Sequence, residues 1–210
     1  MEEPKLMGLD LSVNGTGVCM PDGSTLRVRG KASEGDQRLV KIRDHVRMAA
    51  RTSRARLVVM EGIQGIFRGN TQTIMGEVHG AVRVELMDQG IPYVLVNQKT
   101  LKLFATGRGG ADKPAMAKAA RNHGEVMFDS DDECDAWWLW RAGLDIYADG
   151  GAFPALPDAQ RAALTLVRWP PLPAPARRLT APETAVQGCP GCAGAGRHTC
   201  PPGTGLPERA

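Results

Sequence analysis

The sequence predicts an α/β protein built on a mixed five-stranded sheet, three strands antiparallel and then parallel ones, with helices on both faces. Three observations carry this. The first thirty residues read as short strands joined by turns. After them, apolar runs of strand length alternate with stretches of helical period, which is the pattern of β-α-β units. The composition, 42% hydrophobic and 23% charged over 210 residues, is that of an ordinary globular chain.

The elements follow in order. "KLMGLDL" is an apolar run interrupted by an acid, Asp10. "GTGVCM" is a second strand. "PDGS" is a turn, and "TLRVRG" alternates apolar with basic residues as a half-exposed third strand. Leu39, Val40, Ile42, Val46, Met48 and Ala49 then recur at helical spacing, with Arg and Lys between them. "ARLVVMEG" is a buried strand ending at Glu61. "NTQTIMGEVHGAVRVELMDQG" is a helix stopped by Gly90. It contains Gly76-x-x-x-Gly80, which leaves room for another backbone. "IPYVLVN" is the fifth strand, followed by a short helical piece from Gln98 to Phe104. "TGRGGAD" is a glycine-rich loop, and "KPAMAKAARNHG" is a helix with Pro114 in its first turn. The last long helix starts in "DSDDECDAWWLW" and runs to about Ala148.

Beyond residue 150 the character changes. Residues 151–187 hold one short helix and a proline-rich linker, and residues 188–210 a cysteine-rich tail. No apolar run reaches the roughly 20 residues a membrane span needs, and the N-terminus has no secretion pattern. A cytoplasmic protein of a bacterium or of a phage-infected cell is expected. The net charge of +3 comes from 26 basic and 23 acidic residues. Residues 1–150 carry 20 of each, so the excess lies in the tail. Global charge therefore says little about nucleic acid. Arg38, Lys41, Arg43, Arg47, Arg51, Arg54 and Arg56 form a local run opposed only by Asp44. A solvated helix face is the simpler reading of it, and a phosphate-facing surface the other.

The acids carry more. Asp10 stands inside a strand, where acids are disfavoured. Glu61 ends the fourth strand, and strand ends in mixed sheets are where ligands sit. If the first and fourth strands are parallel neighbours, both carboxylates emerge at one sheet edge. In "DSDDECDAWWLW", Ser130 and Glu133 form a capping box, with Glu133 expected to reach back to the Ser130 amide. Asp131 and Asp132 fall in the first turn, where the helix dipole favours anions. Asp135 lies beyond the cap and shares a helix face with Asp132 at spacing i, i+3. Ala136 and Leu139 continue that face into the core. Four carboxylates, two from strands and two from a helix, suit hard divalent cations. A pair of such ions about 4 Å apart activates water for phosphodiester cleavage.

"GLDLSVNGTGV", the acid ending the fourth strand, the Asp132-x-x-Asp135 pair and "LKLFATGRGGADK" together resemble the RuvC family of Holliday junction resolvases over residues 5–148. The resemblance implies an RNase H-like fold and a nuclease domain over residues 1–150. It implies an endonuclease that nicks branched DNA (four-way junctions, with forks and flaps as further substrates) as a homodimer through the Gly76–Gly80 helix. Asp10, Glu61, Asp132 and Asp135 would hold two Mg²⁺ or Mn²⁺ ions. Lys113 would act on the scissile phosphate, and Lys102 would bind DNA backbone nearby. Phe67 would stack on an unpaired base, with Arg68 beside it and Arg108 of the glycine-rich loop as further DNA contacts. Phe67 lies further from Glu61 than the family's usual spacing, so core packing competes for it.

The remaining motifs have plainer readings. His45, His79 and His123 are lone histidines on helices, in surface or core roles. Trp137, Trp138 and Trp140 pack a core helix. Cys19 and Cys134 are small buried hydrophobes. In the tail, Cys189, Cys192, His198 and Cys200 read either as a tetrahedral Zn²⁺ site, as chance residues of a disordered tail, or as half of a site completed by a second chain. Two rival functions stay open on sequence alone. "GLDLSVNGTG" also resembles the phosphate-binding hairpin of actin-like ATPases and sugar kinases. A non-catalytic DNA-binding protein would use the basic helix and the tail.

Overall fold

The computed structural model describes residues 4–63, 71–148 and 156–173. Five strands form one sheet: β1 (Leu6–Asp10), β2 (Gly15–Cys19), β3 (Thr25–Arg29), β4 (Leu57–Glu61) and β5 (Tyr93–Val96). Their order is β3-β2-β1-β4-β5, with β1–β2 and β2–β3 antiparallel and β1–β4 and β4–β5 parallel. This is the mixed sheet expected. The helices are α1 (Gln37–Ser53), α2 (Thr71–Asp88), α3 (Gln98–Thr106), α4 (Lys113–Gly124), α5 (Asp131–Tyr147) and α6 (Asp158–Arg161). Among the described residues no helix is long and apolar enough to cross a membrane.

Side chains alternate between the two faces of each strand, so each face has its own core. Met7, Leu9, Val58 and Met60 pack against Ile42, Val46, Val78, Val82 and Leu86 of α1 and α2. Leu6, Leu57, Val59, Val94 and Val96 pack against α3, α4 and α5. Trp138 of α5 is fully buried there; its indole N–H donates to the Met116 carbonyl at 3.3 Å, and its ring meets Phe104 edge-on at 5.9 Å. Trp137 meets it edge-on at 4.9 Å, Trp140 lies tilted against Trp137 at 6.4 Å, and Arg141 sits over both of these rings. The tryptophans are packing residues.

α5 lies unusually close to the sheet because strand glycines clear its path. A Cβ on Gly8 would stand 2.0 Å from the Ala136 carbonyl oxygen, and one on Gly17 would stand 1.9 Å from that of Asp132. Both neighbours are backbone and cannot swing away. The glycines of "GLDLSVNGTG" are thus seats for a helix.

Residues after 155 join this core. Leu156, Ala163 and Leu164 are buried in the α3–α5 cluster. Arg161 pairs with the buried Asp145 of α5 at 3.2 Å, the Tyr147 hydroxyl donates to the Pro170 carbonyl, and the Arg56 guanidinium donates to that of Pro173.

Candidate active site

Period-two alternation puts the first two acids on one face. Leu6, Gly8 and Asp10 point toward α5, as do Leu57, Val59 and Glu61. β1 and β4 run parallel with Leu9 opposite Met60, so Asp10 and Glu61 stand side by side at the carboxyl ends of neighbouring strands. The first turn of α5 supplies the other two. Ser130 caps the helix, its hydroxyl oxygen accepting from the Glu133 amide at 3.3 Å. The box closes differently from expectation: Glu133 accepts from the Ser130 hydroxyl at 2.8 Å and from Thr25 of β3 at 3.4 Å, side chain to side chain. Its carboxylate is buried and is taken up by these two hydroxyls. With the cap so fixed, Asp132 and Asp135 face the strand ends.

Asp10 lies within electrostatic reach of each of the other three acids. Burial raises the Asp10 pKa well above its ordinary value, and the negative charges of Glu61, Asp135 and Asp132 raise it further, against Lys113. Glu61 is pushed up to about 7 by burial and then by Asp135, opposed by Lys102. Asp135 is pushed up to about 6, chiefly by burial, with Lys102 pulling it back. Asp132 is raised by burial and held down by Arg27. Asp10, Glu61 and Asp135 have no ion-pair partner among the described residues. Partly buried carboxylates that crowd one another are a donor set short of positive charge, and oxygen-preferring divalent cations fit it. Among the described residues no three acids, histidines or cysteines already close into an ion cage. Two of the neighbouring acids are drawn to protein cations.

Those cations are Lys113 and Arg27. The Lys113 ammonium sits 2.9 Å from Asp131, which raises its pKa and leaves it beside the centre. Asp131 is therefore more than helix-start charge: it holds Lys113 across from α4. Lys102 of α3 is half-buried and within electrostatic reach of Glu61 and Asp135. Arg108 is exposed on the loop after α3. Phe67, Arg68 and the four metal-ligand candidates of the tail, Cys189, Cys192, His198 and Cys200, lie outside the described residues. Sequence reasoning missed Arg27, whose Nε is 2.6 Å from Asp132. The alternation of "TLRVRG" put Thr25, Arg27 and Arg29 on one face of β3, but only the packing reveals that α5 starts over it.

Other candidates recede. The basic run of α1 belongs to the opposite face of the sheet. There Lys41 pairs with Glu34, Arg43 with Asp44, and Arg47 with Asp44 and the buried Glu85. His79 is buried in α2, and burial and then Arg83 lower its pKa to about 4. His123 meets Trp138 edge-on. Cys19 and Cys134 are buried free thiols.

The same fold occurs in solved structures. Thermus thermophilus RuvC matches with a TM-score of 0.57 and 22% identity, covering 70% of this chain and 97% of that one. T. thermophilus RuvC in complex with Holliday junction substrate matches with a TM-score of 0.59 and 21% identity, covering 70% and 96%. The mixed sheet with its flanking helices is thus a RuvC-like, RNase H-like fold. No protein-family model matches the chain, and no curated protein does.

Proposed function

We propose that the protein is a divalent-cation-dependent endonuclease that nicks branched DNA, Holliday junctions foremost, as a homodimer. One observation carries the reading: Asp10, Glu61, Asp132 and Asp135 converge from two adjacent strand ends and one helix face on a single side of the sheet. Asp10, Glu61, Asp132 and Asp135 would hold two Mg²⁺ or Mn²⁺ ions, which supply Lewis-acid stabilisation of phosphate charge and lower the pKa of water. The protein's own groups do the rest. Partial burial excludes bulk water and strengthens each charge interaction around the acids. Lys113, anchored by Asp131, offers positive charge to a phosphate at the centre's edge. Lys102, already felt by Glu61 and Asp135, neutralises DNA backbone close by. Arg108, Arg68 and Phe67 would extend the contact. Phosphate contacts of this kind select position and shape before sequence.

A two-fold junction requires two cuts, and a C₂ dimer supplies two centres. In α2, a Cβ on Gly76 or Gly80 would meet nothing within 4 Å among the described residues, and Val84 and Met87 are exposed. That small-residue, apolar face is the proposed dimer contact. The test is incubation of a synthetic four-way junction with the protein in Mg²⁺ or Mn²⁺, alongside Asp10→Asn and Asp135→Asn. Wild type should produce paired nicks and both variants should bind without cutting. An uncut junction with wild type, or equal cutting by both variants, refutes the reading.

A further inference from the structure

Arg27 reaches Asp132 by an unusual route. It stands on β3 opposite Gly17 of β2, and its side chain crosses the β2 strand to arrive at α5. The crossing exists because β2 offers no side chains there. A Cβ on Gly15 would lie 2.4 Å from both Nε and one terminal nitrogen of Arg27, and 2.6 Å from Asp132 Oδ2. The ion pair therefore rests directly on the glycine. Its Nε–Oδ2 distance is 2.6 Å, with the Arg27 side chain 33% and the Asp132 side chain 19% exposed. A pair serving only to pin α5 to the sheet has no need of a member of the four-carboxylate set. Glu133, one residue on, already makes that tie through Thr25, and Asp131 lies outside the four. Instead the arginine engages an acid that shares its helix face with Asp135. Arg27 and Asp132 both border a cavity of about 400 Å³, which Asp131, Lys113 and Arg121 also line, so the ion pair has open space beside it.

We propose that Arg27 is a positioning residue that acts as a built-in counter-cation, competing with divalent cations for the Asp132 carboxylate and so setting the ion affinity of the acidic centre. This rests on the reading that the four carboxylates take such ions. With no ion bound, the arginine neutralises one of the acids that burial makes costly. When an ion arrives, Asp132 exchanges one cation for another. The exchange weakens ion binding relative to a site with a free carboxylate, and it stabilises the fold when ions are scarce. Lysine keeps the charge but loses the planar fork; glutamine loses the charge.

The experiment is a calorimetric titration of the full chain with Mn²⁺, for wild type, Arg27→Lys and Arg27→Gln, paired with thermal melts in EDTA and in Mn²⁺. Arg27→Gln should bind Mn²⁺ on the order of tenfold more tightly, the factor Coulomb's law gives for removing a unit charge ~5 Å from a divalent ion even in water. It should also melt below wild type in EDTA, and the gap should close in Mn²⁺. Arg27→Lys should restore affinity toward the wild-type value. If Arg27→Gln does not fold, Arg27→Met, which keeps the aliphatic stem over the glycines, is read the same way. Equal or weaker Mn²⁺ binding by the uncharged variant overturns the role of Arg27 and leaves the nuclease reading standing. Absence of Mn²⁺ binding by wild type overturns both.

Discussion

Replacing Glu61 with glutamine should stabilise this protein at neutral and alkaline pH when divalent ions are absent. Glu61 ends β4 among other acids, and its pKa is raised from 4.5 to about 7, first by burial and then by Asp135. A carboxyl that binds its proton more tightly folded than unfolded favours the folded state only while protonated. Stability should therefore fall as pH rises from about 4.5 and should level off above about 7. At roughly 1.36 kcal/mol per tenfold change in acidity, the shift corresponds to about 3 kcal/mol lost by the ionised form. Glutamine keeps the shape and never ionises. In EDTA at pH 8, Glu61→Gln should gain up to that amount, or roughly 6–12 °C in Tm for a chain of this size. At pH 4.5 the gain should vanish, because the wild-type carboxyl is then largely protonated. Mg²⁺ should reverse the order at pH 8, since an ion that binds only the folded state stabilises wild type by mass action. The assay is differential scanning calorimetry at both pH values, with EDTA and with Mg²⁺. An equal Tm difference at both pH values, or a variant less stable than wild type at pH 8 in EDTA, would show that Glu61 is not a buried, charge-crowded carboxylate.

Further outcomes follow from the packing. Gly17→Ala forces a Cβ against the Asp132 carbonyl, so urea unfolding should show a loss of at least about 1–3 kcal/mol. Gly76→Ala meets nothing within 4 Å among the described residues; in the monomer it should add about 0.5–1 kcal/mol, and sedimentation should show a weakened dimer if that face is the interface. Trp138→Ala removes the largest fully buried side chain and should cost about 3–5 kcal/mol by the same unfolding assay. The His79 ring, buried and facing Arg83, should stay neutral in NMR titrations until the pH falls to about 4.

Much of the centre is legible in the chain because it depends on local periodicity. Asp10 and Glu61 share a face for the same reason that Leu6 shares one with Gly8, and Asp132 and Asp135 share one because they are i, i+3 on a helix. Parallel pairing of β1 with β4 was the remaining condition, left open by the sequence and met in the sheet. What sequence could not reveal depends on contacts between distant elements. Arg27 looked like an exposed strand residue until α5 was placed over β3. Asp131 looked like a capping charge until α4 brought Lys113 to it. The glycines of "GLDLSVNGTG" admitted a phosphate-loop reading, and only the Ala136 and Asp132 carbonyls beneath them reveal the closeness of a helix. Leu156, Ala163 and Leu164 follow a glycine-rich stretch, and their burial rests on the α3–α5 surface that receives them.

The contact of α5 with Gly8 and Gly17 has a consequence for how this molecule can vary. Most helices float on a layer of side chains, and any change of size in that layer shifts the helix. Here main chain rests on main chain, so the strands act as a gauge block against which the first turn of α5 is set. Hydrophobic residues deeper in either core can be exchanged, at a cost in stability, while the spacing of Asp132 and Asp135 from Asp10 stays as the backbone dictates. Tolerance in the interior and intolerance at two glycines are then one property seen from two sides. A random-mutagenesis survey should find the two glycines as invariant as the four acids.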